Sequence, residues 1–376
     1  MERYVKGVGM TKFSFEDRST HDMSHEAIQQ ALNDSDINID KIDAAVVSTV
    51  DTEINDERQR MYGPVLSSLL KKKIPIIRVP AVCGGGGAAF WTASRLKYNN
   101  VLVLGVDKVL SSPTQLITEE IMNAGDNFWE QEEGVIFPAV NALVAQQHML
   151  KYGTTHDDLL KIAYKNHYHG SMNPKAKFFG KKISLEEIKN APIVSTPFNL
   201  YDCSISVNGA AAVIISNDKT DIKVEGSALA TDYLAPFERE DMTVWNGTVE
   251  AGKESFKQSQ IEPKDINVAE LHDAFTIVEL IAYEDLGFCK KGEGAKLIRD
   301  GYTNLDGKMP VNTSGGLKAR GHPISPTGVA QIVEITDQLR NRCGERQVNN
   351  PKLGLTHNVG GAGGTTTVHI FKKVAG

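Results

Sequence analysis

The pattern of apolar and polar positions sorts much of the chain into alternating buried strands and one-faced helices. Residues 4–13 read as a first strand, and residues 21–33 set Met23, Ala27, Ile28, Ala31 and Leu32 at helical spacing. Residues 44–50, AAVVSTV, are a continuous apolar run and predict a second, buried strand. Residues 51–73 open polar and turn helical, with Met61, Val65, Leu66, Leu69 and Leu70 on one face. A third buried strand is predicted over residues 74–82 from Ile74, Ile76, Ile77, Val79 and Val82. It runs into Cys83, the glycines 84–87 and an apolar, helical stretch that reaches Leu96. Residues 101–106 predict the next strand.

The rhythm stops over residues 111–197, which carry more aromatics, histidines and lysines. Helical spacing is present in 137–152 and 157–167, and the stretch reads as an insertion lying over a sheet. Lys165, His167, His169, Lys175, Lys177, Lys181 and Lys182 make either a site for an anionic ligand or a solvated helical face. Residues 208–216, NGAAAVIIS, return to a buried strand. The plan then repeats: strand 223–230, helix 246–260, strand 266–271, a turn 313–328 leading into a helix 327–339, and strands 353–356 and 363–371. The match lies in order and pattern rather than identity. It divides the chain into halves 1–217 and 218–376, with the insertion at about 111–200. Two such halves packed face to face bring equivalent turns to a shared centre.

Composition narrows the class. In 376 residues, 41% are hydrophobic and 23% charged, ordinary for a globular chain with ample core. The net charge of −6 argues against a nucleic-acid-binding body. Cys83, Cys203, Cys289 and Cys343 lie far apart, which argues against a thiolate zinc site or a disulfide scaffold. No apolar run reaches membrane-spanning length, and Met1-Glu2-Arg3 leads directly into a strand, so a cytoplasmic protein is expected.

Cys83 is the first candidate for chemistry. It sits between a strand and a helix, where unpaired N–H groups and positive potential favour a thiolate. A free buried cysteine beside a tight turn is the plainest reading. A dinucleotide fingerprint is the second: Gly84-x-Gly86-x-x-Ala89 has the spacing, and Asp107 ends the next strand. That fingerprint normally opens its sheet, whereas two strand candidates precede this one. The third reading, a covalent nucleophile, needs histidines from elsewhere. Three later turns supply polar groups: His272 in Glu270-Leu271-His272-Asp273-Ala274-Phe275, His322 in a glycine-rich turn before a helix, and His357-Asn358 ahead of Gly360, Gly361, Gly363 and Gly364. Each alone is weak, because an isolated histidine is usually a structural hydrogen-bonding residue.

Together, in this order, these turns resemble the thiolase superfamily over essentially the whole chain. The matching motifs are the Cys83 turn, GGxxxxGHPxxxxG (Gly315, Gly316, Gly321, His322, Pro323, Gly328) and the C-terminal glycine turn. The His272-Asp273-Ala274-Phe275 form and the KNHYHGSMNPKAKF segment resemble most the sterol-carrier-type and archaeal branch. The resemblance implies an α/β thiolase fold: two β-α-β-α-β-α-β-β halves in a five-layered α-β-α-β-α body with an inserted loop domain. It implies that Cys83 carries an acyl group taken from acyl-CoA, that His322 accepts the thiol proton, and that His272 donates to an enolate oxygen. Backbone N–H groups at Cys83 and Gly360 are expected to hold the thioester oxyanion. Coenzyme A thioesters are then substrates, with no permanently bound cofactor and no metal.

One departure matters. Most thiolases carry a second, acid/base cysteine in a C-x-G motif, where this chain has Asn358-Val359-Gly360; sterol-carrier-type members can use H-D-C-F, where this chain has Ala274. His272 and His357 are the candidates to replace it, His272 being favoured because it ends a buried strand. The Cys-His-His set also matches decarboxylating ketoacyl synthases, which need no α-carbon base. A thiolase-like retro-aldolase and a scaffold subunit are further alternatives, the former disfavoured by Cys83. The family further implies a homodimer or dimer of dimers, and for archaeal members a DUF35 OB-fold/zinc-ribbon partner and 3-hydroxy-3-methylglutaryl-CoA synthase. The expected reaction is condensation of two acetyl-CoA to acetoacetyl-CoA, feeding the mevalonate route.

Overall fold

A computed structural model describes residues 2–50, 56–57, 59–109 and 114–375. The polar opening predicted at 51–55 and the start of the insertion at 111–113 lie outside the described residues. The first part of the chain forms β1 (Arg3–Met10), α1 (Thr20–Ser35), β2 (Ala44–Ser48), α2 (Tyr62–Leu70), β3 (Ile76–Arg78), α3 (Gly85–Ala93) and β4 (Asn100–Asp107). The insertion holds α4 (Thr114–Ile121), α5 (Phe137–Tyr152), α6 (His156–Ser171), α7 (Leu185–Lys189) and a small hairpin of β5 (Ile193–Ser195) and β6 (Phe198–Asn199). Then follow β7 (Gly209–Ser216), β8 (Ile222–Thr231), α8 (Asn246–Ser259), β9 (Val268–Leu271), α9 (Thr276–Asp285), α10 (Gly294–Arg299), α11 (Gly316–Ala319), α12 (Pro326–Leu339), β10 (Leu353–Gly360) and β11 (Thr365–Lys373).

The long strands join in the order β3-β2-β4-β7-β1-β8-β11-β10-β9. Read outward from the β1–β8 junction, the two arms have the same plan. β1 and β8 pair antiparallel with β7 and β11, these pair antiparallel with β4 and β10, and those run parallel to β2 and β9. A parallel bridge between Ala269 and Val311 continues the second arm where β3 continues the first. The junction itself is short: Arg3, Tyr4 and Val5 face Val224, Lys223 and Ile222.

The period-2 alternation of each strand decides the layering. Ala45 and Val47 of β2 face α1 and α2 on the outside, packing with Ile28, Leu32 and Leu66. Ala44 and Val46 face inward onto Phe90 and Ala93 of α3 and onto Val329, Ile332 and Val333 of α12. Both central helices are buried nearly all round, as expected of helices held between the two arms of the sheet. On the other side, α8 and α9 cover Leu271, Leu355, Val368 and Ile370. The result is the five-layered α-β-α-β-α body of the thiolase-like expectation.

Some details differ from the sequence reading. The strand before Cys83 is only three residues long and lies at the sheet edge, with Ile77 41% exposed, because it has one strand neighbour and no covering layer at that residue. The last glycine turn is shorter than expected, since β10 continues to Gly360 and carries His357 and Asn358 within the sheet. The basic cluster of the insertion is neither a solvated face nor an anion site at its core. Lys165 Nζ lies 2.6 Å from Glu279 Oε1, His169 Nδ1 bonds the Asn312 carbonyl at 3.1 Å, and His167 packs edge-on against Phe178 and Tyr201. The Lys165 and His169 contacts bolt α6 onto α9 and the turn before α11, while His167 packs α6 against the rest of the insertion.

Candidate active site

The strand–turn–helix at Cys83 is sharp. Val82 has φ +46°, a left-handed conformation costly for a β-branched residue, of order 1–3 kcal/mol. A single helical turn over Val82–Gly84 leads directly into α3, and Cys83 is presented at its start. The equivalent turn in the second half has the same device: Ile324, at φ +68°, precedes Ser325 and α12. Both strained residues pack together with Val109 and Ile117, so a small apolar cluster holds the two turns against each other.

The glycines after Cys83 exist for that packing. A Cβ on Gly85 would stand 2.1 Å from Ser48 Oγ, on Gly86 2.5 Å from the Ser325 carbonyl, and on Gly87 2.0 Å from Thr367 Oγ1. The space a dinucleotide pyrophosphate would need is filled by the protein itself. Asp107 has no ribose-binding role either: it is buried and accepts hydrogen bonds from the N–H groups of Val50 and Ser325 and from Thr49 Oγ1. The dinucleotide reading is excluded on these contacts.

His322 is brought to Cys83 from the far half. Its Nε2 lies 3.3 Å from Cys83 Sγ, and its Nδ1 lies 2.7 Å from Thr327 Oγ1 in the first turn of α12. With Nδ1–H donating to Thr327, Nε2 is left as an acceptor for the thiol proton. Its backbone N–H donates to the Ile205 carbonyl at 2.8 Å. Burial sets the charge state. It pushes the Cys83 thiol up to about 12, helped by the Asp107 carboxylate, against the opposing N–H groups of Cys83 and Gly361. It pushes His322 down to about 3, with Arg320 adding to the effect. The resting pair is therefore a neutral thiol on a neutral imidazole. The thiolate expected from the helix terminus is not favoured, because desolvation outweighs the terminus.

Asn358 ties the site together. Its Oδ1 accepts from the Gly87 N–H at 3.1 Å, so the amide orientation is fixed by the network. Its Nδ2 then donates to the Cys83 carbonyl at 2.9 Å and reaches His272 Nδ1 at 3.4 Å. His272 Nδ1 is thereby an acceptor, and its proton sits on Nε2. The His272 ring stands edge-on to His322 with centroids 5.6 Å apart. Burial together with His322 and His357 holds His272 well below the usual histidine range, so it is neutral. Asp273 beside it is a clamp: it accepts from the Leu317 N–H at 2.6 Å and from Asn166 Nδ2 at 2.8 Å.

A cavity of about 270 Å³ opens onto these groups, lined by Cys83, His272, His322, Gly361 and Cys203, with Ile121, Phe137, Ala274 and Phe275 as its apolar wall. Three of the expected residues do not line it, Asn358 among them, which acts on the site from behind Cys83 and His272. His357 is on the other face of β10 from Asn358: Nε2 meets Thr248 Oγ1 of α8 at 3.0 Å, and Nδ1 accepts from the His272 N–H at 3.4 Å. Gly360 packs on the Cys83 turn, a Cβ there coming 2.6 Å from the Ala81 carbonyl, and it is the Gly361 N–H that reaches Cys83. Gly361 has φ +62°, which a glycine adopts without penalty. Thr327, Cys203 and Gly361 had no distinguishing signal of their own; the glycine run pointed only to the neighbourhood of Gly361. Among the described residues, no group of three or more His, Cys, Asp or Glu side chains is placed to hold a metal ion, and no helix is long and apolar enough to cross a membrane.

Comparison with known proteins agrees with this architecture. Residues 5–197 match the family model "Thiolase, N-terminal domain" and residues 228–373 match "Thiolase C-terminal domain-like". The chain is 39% identical to an acetyl-CoA acetyltransferase of Methanothermobacter thermautotrophicus, covering 98% of this chain and 99% of the relative. It is 33% identical to sterol carrier protein 2 of Bos taurus, covering 98% of this chain and 72% of that protein. Among solved structures, the Ltp2-ChsH2(DUF35) aldolase superposes with a TM-score of 0.85 at 24% identity, over 99% of this chain and 98% of that one. Human mitochondrial 3-ketoacyl-CoA thiolase superposes with a TM-score of 0.73 at 16% identity, over 100% of this chain and 99% of that one. On two family models and near-full-length relatives, the chain belongs to the thiolase family.

Proposed function

We infer that the chain is an acyltransferase that condenses two acetyl-CoA molecules to acetoacetyl-CoA and CoA, and runs thiolysis in reverse, through an acyl-Cys83 intermediate. The observation that carries this reading is the 3.3 Å contact between Cys83 Sγ and His322 Nε2 at the floor of a part-apolar cavity. His322 takes the thiol proton as Sγ attacks the acetyl carbonyl, and Thr327 Oγ1 steadies the imidazolium that forms. The N–H groups of Cys83 and Gly361, which reach the Cys83 sulfur, serve as the donors to the thioester oxygen as it gathers charge. His272 Nε2–H serves as a donor to the enolate oxygen of the second acetyl-CoA. Asn358 is a positioning residue for both, and His357 supports His272 from behind.

The near-full-length archaeal relatives named as acetyl-CoA acetyltransferases support acetyl-CoA as the substrate. The finer parts of the reading extend the same likeness. The chain acts in the cytoplasm as a homodimer or dimer of dimers, with halves dividing at 217/218. It binds a DUF35 OB-fold/zinc-ribbon protein, and its product feeds 3-hydroxy-3-methylglutaryl-CoA synthase at the head of the mevalonate pathway. A DUF35 component also figures in the name of the aldolase with the similar fold, which favours that partner. The test is an assay of the purified chain with acetyl-CoA, and with acetoacetyl-CoA plus CoA, with and without the DUF35 protein. Product formed only when malonyl-CoA is supplied would replace this reading with a decarboxylating synthase.

A further inference from the structure

Condensation requires a base that removes a proton from the acetyl methyl group, and the residues first considered for that task are otherwise engaged. Four titratable side chains among the described residues line the cavity: Cys83, Cys203, His272 and His322. Cys83 is consumed as the acyl carrier. His322 holds the proton that Cys83 gave up. His272 accepts from Asn358 at Nδ1 and therefore presents an N–H, not a lone pair, to the cavity. His357 points into the outer helix layer.

Cys203 remains, and its placement is built rather than incidental. It closes a short helical turn, Leu200–Asp202, that Asn199 caps. The segment 203–206 then crosses between the two catalytic histidine turns and is bonded to both. On one side Cys203 bridges antiparallel to Phe275, and the Ser204 N–H donates to the Ala274 carbonyl at 2.8 Å. On the other, Ser206 bridges parallel to His322, whose N–H donates to the Ile205 carbonyl at 2.8 Å. The Cys203 thiol has one weak bond, to the Asn199 carbonyl at 3.8 Å, which leaves it able to turn to a ligand. Burial raises the Cys203 thiol, and the buried Lys318 ammonium, which bonds the Asp202 carbonyl, offsets part of that rise.

We propose that Cys203 is the acid/base that moves the α-proton of the substrate, a role resting on the thiolase reading above. Burial pushes the thiol up to about 11, so it starts protonated. In the acylation step, Cys83 Sγ bonds the acetyl carbon, the C–S bond to CoA breaks, and the departing CoA sulfur takes the Cys203 proton. Cys203 is left as thiolate while His322 keeps the Cys83 proton. After CoA is exchanged for a second acetyl-CoA, the Cys203 thiolate takes a methyl proton, and the electron pair passes to the enolate oxygen held by His272. The enolate carbon attacks the acetyl group on Cys83, the C–S bond to Cys83 breaks, and the released thiolate recovers its proton from His322. Every proton is returned, and the net products are acetoacetyl-CoA and CoA.

The experiment follows methyl deuteration of acetyl-CoA in D₂O together with the intact mass of the protein, for wild type, Cys203→Ala and Cys203→Ser. All three are expected to acquire an acetyl group on Cys83, the two variants more slowly because CoA leaves without the Cys203 proton, while deuteration and acetoacetyl-CoA formation fall by at least about 100-fold in both variants. Deuteration within about threefold of wild type in either acetylated variant would overturn the assignment, since general-base losses run to hundreds-fold or more. Variants left unacetylated at Cys83 even after long incubation, when CoA can leave as its thiolate, would equally overturn it, by making Cys203 a support of the fold. A wild type that is never acetylated would instead refute the thiolase reading itself.

Discussion

Thr327→Val isolates one hydrogen bond of the proposed mechanism. The change is nearly isosteric, and the residue is buried at the start of α12 with Oγ1 2.7 Å from His322 Nδ1. In the resting site that bond holds the tautomer whose Nε2 accepts the Cys83 proton. When the proton transfers, the same bond becomes charge-assisted, worth about 1.5–3 kcal/mol where its neutral form is worth about 1 kcal/mol. The valine variant loses the difference between the two, about 0.5–2 kcal/mol, in the acylation barrier, which corresponds to a rate lower by about 2- to 30-fold. The valine variant also frees the ring to move its proton to Nε2, which adds to the loss in the same direction. The assay is the time course of Cys83 acetylation by intact mass after mixing with acetyl-CoA. Thr327→Ser, which keeps the oxygen, is expected to recover most of the rate. A valine variant that acetylates at the wild-type rate would refute the claim that Thr327 sets the working form of His322.

Three further outcomes are expected. Asn358→Ala leaves the Gly87 N–H and the Cys83 carbonyl without their buried partner, at roughly 1–3 kcal/mol each, so urea unfolding should show a loss of about 2–6 kcal/mol; an unchanged midpoint would contradict the network. Because the Cys83 thiol is pushed up to about 12, its thiolate fraction rises with every unit of pH in the accessible range. Its alkylation by iodoacetamide should then climb about tenfold per pH unit from 7 to 9, whereas a plateau below pH 8 would mean a preformed thiolate. Gly86→Ala puts a Cβ against the Ser325 carbonyl and the start of α12, and should cost about 1–3 kcal/mol of stability by overpacking; full wild-type stability would show that the two central helices are less tightly held than described.

How much of this was legible in the sequence follows from what each signal depends on. β4 and β7 were readable because strands buried on both faces must be apolar at every position, and α1 because one apolar stripe faces a sheet. That Cys83 would meet turns of the second half followed from duplication, because equivalent turns of two like halves meet, as the strained Val82 and Ile324 do; that His322 is the partner was carried by the family resemblance. The side to which His357 points was not legible, because it depends on where β10 ends, and the glycine run concealed a strand that continues to Gly360. The basic cluster at Lys165 misled for a related reason. Its counter-charge, Glu279, lies over a hundred residues away and only the fold joins them. The charge state of Cys83 was misjudged because sequence displays the helix terminus but not the burial that opposes it.

The central claim, that Cys83 is an acyl carrier served by His322, is tested most directly by a single labelling measurement. Wild type, Cys83→Ala and His322→Ala are each mixed with acetyl-CoA, and the acetylated peptides are mapped by mass spectrometry. The account predicts one acetyl group on the peptide containing Cys83 in wild type, none in Cys83→Ala, and slow labelling in His322→Ala. Equal acetylation of wild type and Cys83→Ala, or labelling of His322→Ala at the wild-type rate, would contradict it.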